Sequence, residues 1–187
     1  GTPRNDGDLA TLAAQLWLGA ANPLGSCARC KLTKPGSGER VANLFGEEGF
    51  TLNALRLLDF TYYYKIERGA KVVLAVDEDE KRELQNLFLP QDVRVYPATP
   101  HGPMALARAD WETKSSAERA QTLELIATIV ATHTSAGRCA SVPVYYRLES
   151  DDETSLLNAR ALGSVEELGE MPGVLGMRLP TPEPAAA

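Results

Sequence analysis

A chain of 187 residues, 44% hydrophobic and 24% charged, is long enough for one domain with a real core and too short for two full ones. Its formal net charge of −6 argues against a surface built to neutralise many phosphates, so a nucleic-acid partner is not expected. No apolar stretch approaches the length of a membrane span and the N-terminus lacks the regions of a secretory signal, which leaves a soluble, cytoplasmic protein as the default.

The opening "GTPRNDGD" is polar and turn-rich, and residues 1–8 are expected to fray ahead of a single domain over 9–180. Asp8 then caps a predicted helix near 9–18, in which Leu9, Leu12, Ala13 and Leu16 share one face. Residues 22–38, "NPLGSCARCKLTKPGSG", hold too many Gly, Pro and Ser for a long regular element and read as a loop. Thr51 caps a short helix over 51–59 with Leu52, Leu55 and Leu58 in a stripe. "FTYYYKIE" and "KVVLAV", separated by a short glycine-containing turn, predict a hairpin, and "VRVYP" at 93–97 predicts a half-buried strand.

The longest helix is expected at about 115–132. Ser115 and Glu118 have capping-box spacing, Ala120, Leu123, Ile126, Ala127 and Val130 form a stripe, and Leu125 and Ile129 widen it. "SVPVYYRLE" at 141–149 reads as another strand. Ser164 and Glu167 repeat the capping-box spacing ahead of Gly169, and "VLGMRLP" reads as a final edge strand. Residues 181–187 read as a disordered Pro/Ala tail, in part vector-derived; with Gly1 in place of Met, that suggests an excised fragment or processed product.

The run "KVVLAVDEDEKRELQNLF", residues 71–88, carries four consecutive carboxylates where an apolar strand meets a helix. Strand ends of open α/β sheets line ligand crevices, so Asp77 and Asp79 are candidate ligands for a hard divalent cation such as Mg²⁺. The stretch "VVLAVDEDE" is similar to the acidic strand end of topoisomerase-primase domains and of some nucleotide-sugar transferases. That resemblance implies a metal-dependent phosphoryl-transfer or nucleotidyl enzyme. A topoisomerase-primase site also needs an upstream glutamate at a strand end, for which Glu67 is the nearest position. The simpler reading makes Asp77 an N-cap and Glu80 its capping-box partner, with acidic residues placed where the helix dipole favours them and Leu84, Leu87 and Phe88 forming the buried face. It needs no partner elsewhere in the chain and is preferred.

"CARC" is half of a zinc signal, and "HTSAGRC" supplies the residues that complete it, giving a Cys3His site of Cys27, Cys30, His133 and Cys139. The competing fates are inert thiols, or a bridge between Cys27 and Cys30 with Cys139 buried. Arg29, Lys31 and Lys34 would lower a thiol pKa and keep a redox role open.

His101, in "ATPHGPMA", is a candidate acid or base if a carboxylate reaches it; the alternative is a solvated loop histidine. No nucleophile elbow, glycine-rich phosphate loop or dinucleotide fingerprint is present. Alternation along "TYYYK" sends Tyr63 to one face and Tyr62 and Tyr64 to the other. Tyr62, Tyr64 and Tyr145 are candidate interface residues, against ordinary strand packing.

The expected fold is α+β, with α/β as the alternative: a mixed sheet of about four to six strands covered by three or four helices. The favoured function is a non-catalytic binding or assembly domain of a larger protein, working through a protein partner or self-assembly without a cofactor. The metal-dependent enzyme and a small zinc-stabilised module are the other two readings.

Overall fold

The computed structural model describes residues 40, 41, 44, 51–66 and 69–178. The predicted helix at 9–18, the loop at 22–38, both termini, and Glu67 lie outside them. Among the described residues eleven elements have full bounds, in order: α1 (Leu52–Leu57), β1 (Tyr62–Ile66), β2 (Ala70–Ala75), α2 (Glu78–Gln85), β3 (Val93–Pro97), β4 (Met104–Arg108), α3 (Ser116–Thr132), β5 (Ser141–Leu148), β6 (Ser155–Arg160), a 3-10 helix (Glu166–Glu170) and β7 (Val174–Arg178). The strands form one sheet in the order β6-β5-β3-β4-β2-β1-β7.

Each neighbouring pair in that sheet is antiparallel. The chain is therefore α+β, as expected, and the α/β alternative falls. Among the described residues the sheet is antiparallel throughout, with seven strands beside the about four to six expected. The two strands not foreseen, β4 and β6, pair with the strands next to them in space and leave no parallel crossover. The β1–β2 hairpin turns through Gly69, whose φ of +76° is a conformation that only glycine adopts without strain.

The helices start where their side chains dictate. Thr51 accepts a hydrogen bond from the amide of Ala54 at α1, and Asp77 accepts one from Glu80 at α2. At α3 the capping box between Ser115 and Glu118 is complete. Ser164 does not cap the 3-10 helix, whose N-cap is Val165 with no side-chain bond, and Gly169 lies inside the element rather than ending it.

The first face of the sheet packs on α3. Ile126, Ala127, Ile129 and Val130 meet Val72, Leu74, Val95, Ala105, Val142 and Val144 in one cluster that also takes in Leu168 of the 3-10 helix. Burying each such branched side chain stabilises the fold by roughly 1.5–3 kcal/mol. Of the stripe foreseen for α3, Ala120 is exposed and Leu123 and Leu125 are half-buried, while Thr122 is buried, so the contact face is rotated toward the C-terminal half.

Among the described residues, the second face is covered unevenly. Leu44, Leu57, Leu58, Phe60, Leu84 and Leu87 pack over Tyr63, Val73, Ala75, Met104 and Leu106, that is, over β1, β2 and β4. The guanidinium of Arg40 is buried in this layer, donating to the carbonyls of Leu58, Phe60 and Thr61 and lying 5.5 Å from the Tyr63 ring centre. Burial pulls its pKa down to about 10, with the nearby Tyr63 and Tyr64 opposing that pull, so it stays charged at neutral pH.

Candidate functional site

Register decides which side chains share the second face beyond that layer. Arg94 pairs with Arg147, Tyr96 with Tyr145, and Pro97 with Val144 across β3 and β5. Tyr145 pairs with Leu156, and Pro143 with Asn158, across β5 and β6. Directly opposed residues of an antiparallel pair point to the same side. Arg94 and Tyr96, Pro143, Tyr145 and Arg147, and Leu156 and Asn158 therefore form one continuous surface.

No residue of this surface belongs to either buried cluster. Leu156 is 54% exposed, and the rings of Tyr96 and Tyr145 lie 5.7 Å apart at 40°. Arg94 marks the border with the covered half: its guanidinium lies 4.3 Å from the Phe88 ring centre, and Phe88 itself packs on the second cluster.

A cleft of about 400 Å³ opens at the border end of this surface, between β3, β5 and the loop joining β3 to β4. Arg94, Tyr96, Thr99, His101, Arg147 and Thr154 are among its walls. Glu149 takes both of its hydrogen bonds from Arg94, at 2.9 and 2.8 Å, and lies 3.9 Å from Arg147. The loop holding His101 is tightly packed: a Cβ at Gly102 would collide with the Pro97 ring, and His101 has a φ of 59°.

The candidate residues of the acidic run do not gather. Asp77 spends its carboxylate on the amide of Glu80 at 2.8 Å, and Asp79 pairs with Arg82 at 3.0 Å while 89% exposed. Glu80 reaches back to Thr61, accepting from its hydroxyl at 2.8 Å and its amide at 3.2 Å. Asp77 is thus the N-cap of α2, the other three carboxylates are its first turn, and Glu80 ties that turn to the residue before β1. Among the described residues, no three His, Cys, Asp or Glu side chains converge on a point.

His101 is exposed, and its ring makes no hydrogen bond among the described residues. Glu78 is held below the usual carboxylate range chiefly by its hydrogen bond to Lys81, with a smaller contribution from His101. His133 ends α3, where its Nε2 shares a 2.7 Å hydrogen bond with the Tyr64 hydroxyl and its ring meets Tyr62 edge-on at 4.3 Å. Cys139 is exposed rather than buried. Cys27 and Cys30 lie outside the described residues.

The three tyrosines separate in the same way. Tyr64 is 4% exposed and Tyr62 packs on the α3 cluster, so both belong to the first face rather than to an outer surface. Tyr145 lies on the open part of the second face. Arg94, Arg147 and Leu156 carry no local signal in the sequence, because the two arginines are far apart along the chain and only strand register brings them together.

No protein-family model matches the chain, and no curated protein matches it. Among solved structures the chain is similar to the C-terminal of the fibronectin/fibrinogen-binding protein from Streptococcus suis, at 11% identity and a TM-score of 0.44, over 59% of this chain and 49% of that one. The likeness thus spans about half of that structure.

Proposed function

We propose that the chain is a non-catalytic binding or assembly domain that meets a protein partner on the open half of its second sheet face. The observation that carries this reading is the uneven cover that the described residues give that face. Helices and loop residues bury it over β1, β2 and β4, while over β3, β5 and β6 it presents Tyr96, Tyr145 and a Leu156 that is 54% exposed.

Tyrosine and arginine are the residue types that most often anchor protein interfaces, since each combines a large contact surface with polar groups that bond at the rim. The position of Leu156 adds to this. It lies on β6, one of the two outer strands of the described sheet, and an outer strand can accept a further strand from another chain.

The test is recovery of a partner by affinity capture, combined with light scattering on the purified chain. The wild type is expected to recover a defined partner or to self-associate. A Tyr145→Ala/Leu156→Asp variant of unchanged circular dichroism is expected to lose that association, and Glu124→Lys on α3 is expected to keep it. A strictly monomeric chain that recovers nothing, or a face variant that binds as well as wild type, would count against the reading.

A further inference from the structure

Within that binding face, and resting on that reading, we infer that the cleft beside Arg147 receives a carboxylate side chain of an acidic partner segment. Two arginines stand directly opposite one another here on neighbouring strands, a like-charge arrangement that disfavours folding unless something compensates it. One carboxylate does so in part. Glu149 is held on both oxygens by Arg94, whose remaining nitrogen rests 3.6 Å from the Met104 sulfur. Arg94 is therefore fully engaged and fixed in place.

Arg147 is not. Its side chain makes no hydrogen bond among the described residues, and its ion pair there is the long one to the Glu149 oxygen at 3.9 Å. It is nonetheless 70% withdrawn from solvent, with a side-chain exposure of 30%. A guanidinium offers a planar fork of donors that fits a carboxylate on two bonds, and partial withdrawal from water strengthens such a pair.

The rest of the cleft suits the same ligand. Thr99, Thr154, Tyr96 and His101, residue types whose side chains can hydrogen-bond a carboxylate, are among its lining residues. Of the acidic residues that follow β5, Asp151 turns into its own loop to accept from the amide of Glu153 at 3.1 Å, and neither Asp152 nor Glu153 pairs with either arginine. The cleft lining thus carries two arginines and no carboxylate among the described residues, on a protein of net charge −6, and Tyr96 in its wall and the neighbouring Tyr145 would take the apolar neighbours of the acidic residue.

The probe is hexaglutamate, titrated into the isotopically labelled full chain and followed by amide shifts. Shifts at Thr99, His101 and Arg147 are expected, with binding weakened roughly tenfold or more in Arg147→Met, since a charged hydrogen-bonding pair is lost. Arg147→Lys, which keeps the charge but removes the fork, should fall between the two and serves if the methionine variant does not fold. Unmoved cleft amides, or equal affinity in wild type and Arg147→Met, would overturn the assignment. So would inorganic phosphate moving the same amides at lower concentration than hexaglutamate, which would give the cleft to a free phosphate. The two readings fail separately: Tyr145→Ala/Leu156→Asp tests partner recovery on the face, while the hexaglutamate titration reads the cleft alone.

Discussion

Asp92 is completely buried, and a carboxylate persists there because Arg108 meets both of its oxygens, at 2.8 and 2.6 Å, while the amide of Leu89 adds a third bond. The guanidinium continues outward to the Asn53 side chain at 2.8 Å and the Leu87 carbonyl at 3.2 Å. One ion pair thus joins the start of β3, the end of β4, α1 and the turn after α2. Truncating one member of such a pair is far more damaging than replacing both, because the survivor remains charged without a partner. Arg108→Met is expected to cost about 3–5 kcal/mol in urea unfolding, and Asp92→Asn/Arg108→Met to recover a large part of that loss. A double variant as unstable as the sum of its singles would show that the two residues act independently. Nothing in the sequence flags either residue, since the pairing follows only from the β3–β4 register, in which Val93 stands opposite Ala107.

At the level of elements, local chemistry was most legible where a cap had to be made. Thr51, Asp77 and Ser115 each begin the helix expected of them, and the carboxylate run after Val76 resolves into α2. That assignment carries a contrast between two substitutions. Asparagine caps as well as aspartate, and alanine does not cap at all. Asp77→Ala is therefore expected to lose about 1 kcal/mol of stability, and Asp77→Asn only a few tenths. Equal losses in urea unfolding would mean that the negative charge itself matters, as it would for a cation ligand. The strands β4 and β6 were hidden for the opposite reason. "MALAR" and "SLLNAR" are built from residues that favour helices or are neutral, and they lack the branched and aromatic side chains that mark a strand locally. Their strand conformation is imposed by neighbours already in the sheet, through pairings with β2, β3 and β5.

Across the whole molecule, the continuous apolar run of β2 and the mixed pattern of β6 describe two environments within one sheet. Val72, Val73 and Leu74 are fully buried, as are Ala105, Leu106 and Ala107 on β4, because cover lies on both faces there. Leu156 and Arg160 on β6 are exposed, and Ala159 alone is buried in that strand. The first pattern was readable from the sequence as a strand with no solvent side; the open half of the second face was not, since it depends on where α1 and α2 stop. This gradient predicts how the protein opens. Amides of β2 and β4 are expected to exchange hydrogen only through global unfolding, and those of β6 through smaller local openings, with protection rising steadily inward across β5 and β3. The measurement is native-state hydrogen exchange in increasing urea. If β6 amides in the isolated monomer matched β2 in both protection and urea dependence, the outer strand would have to be covered in the free chain. The face assigned here to a partner would then already be occupied.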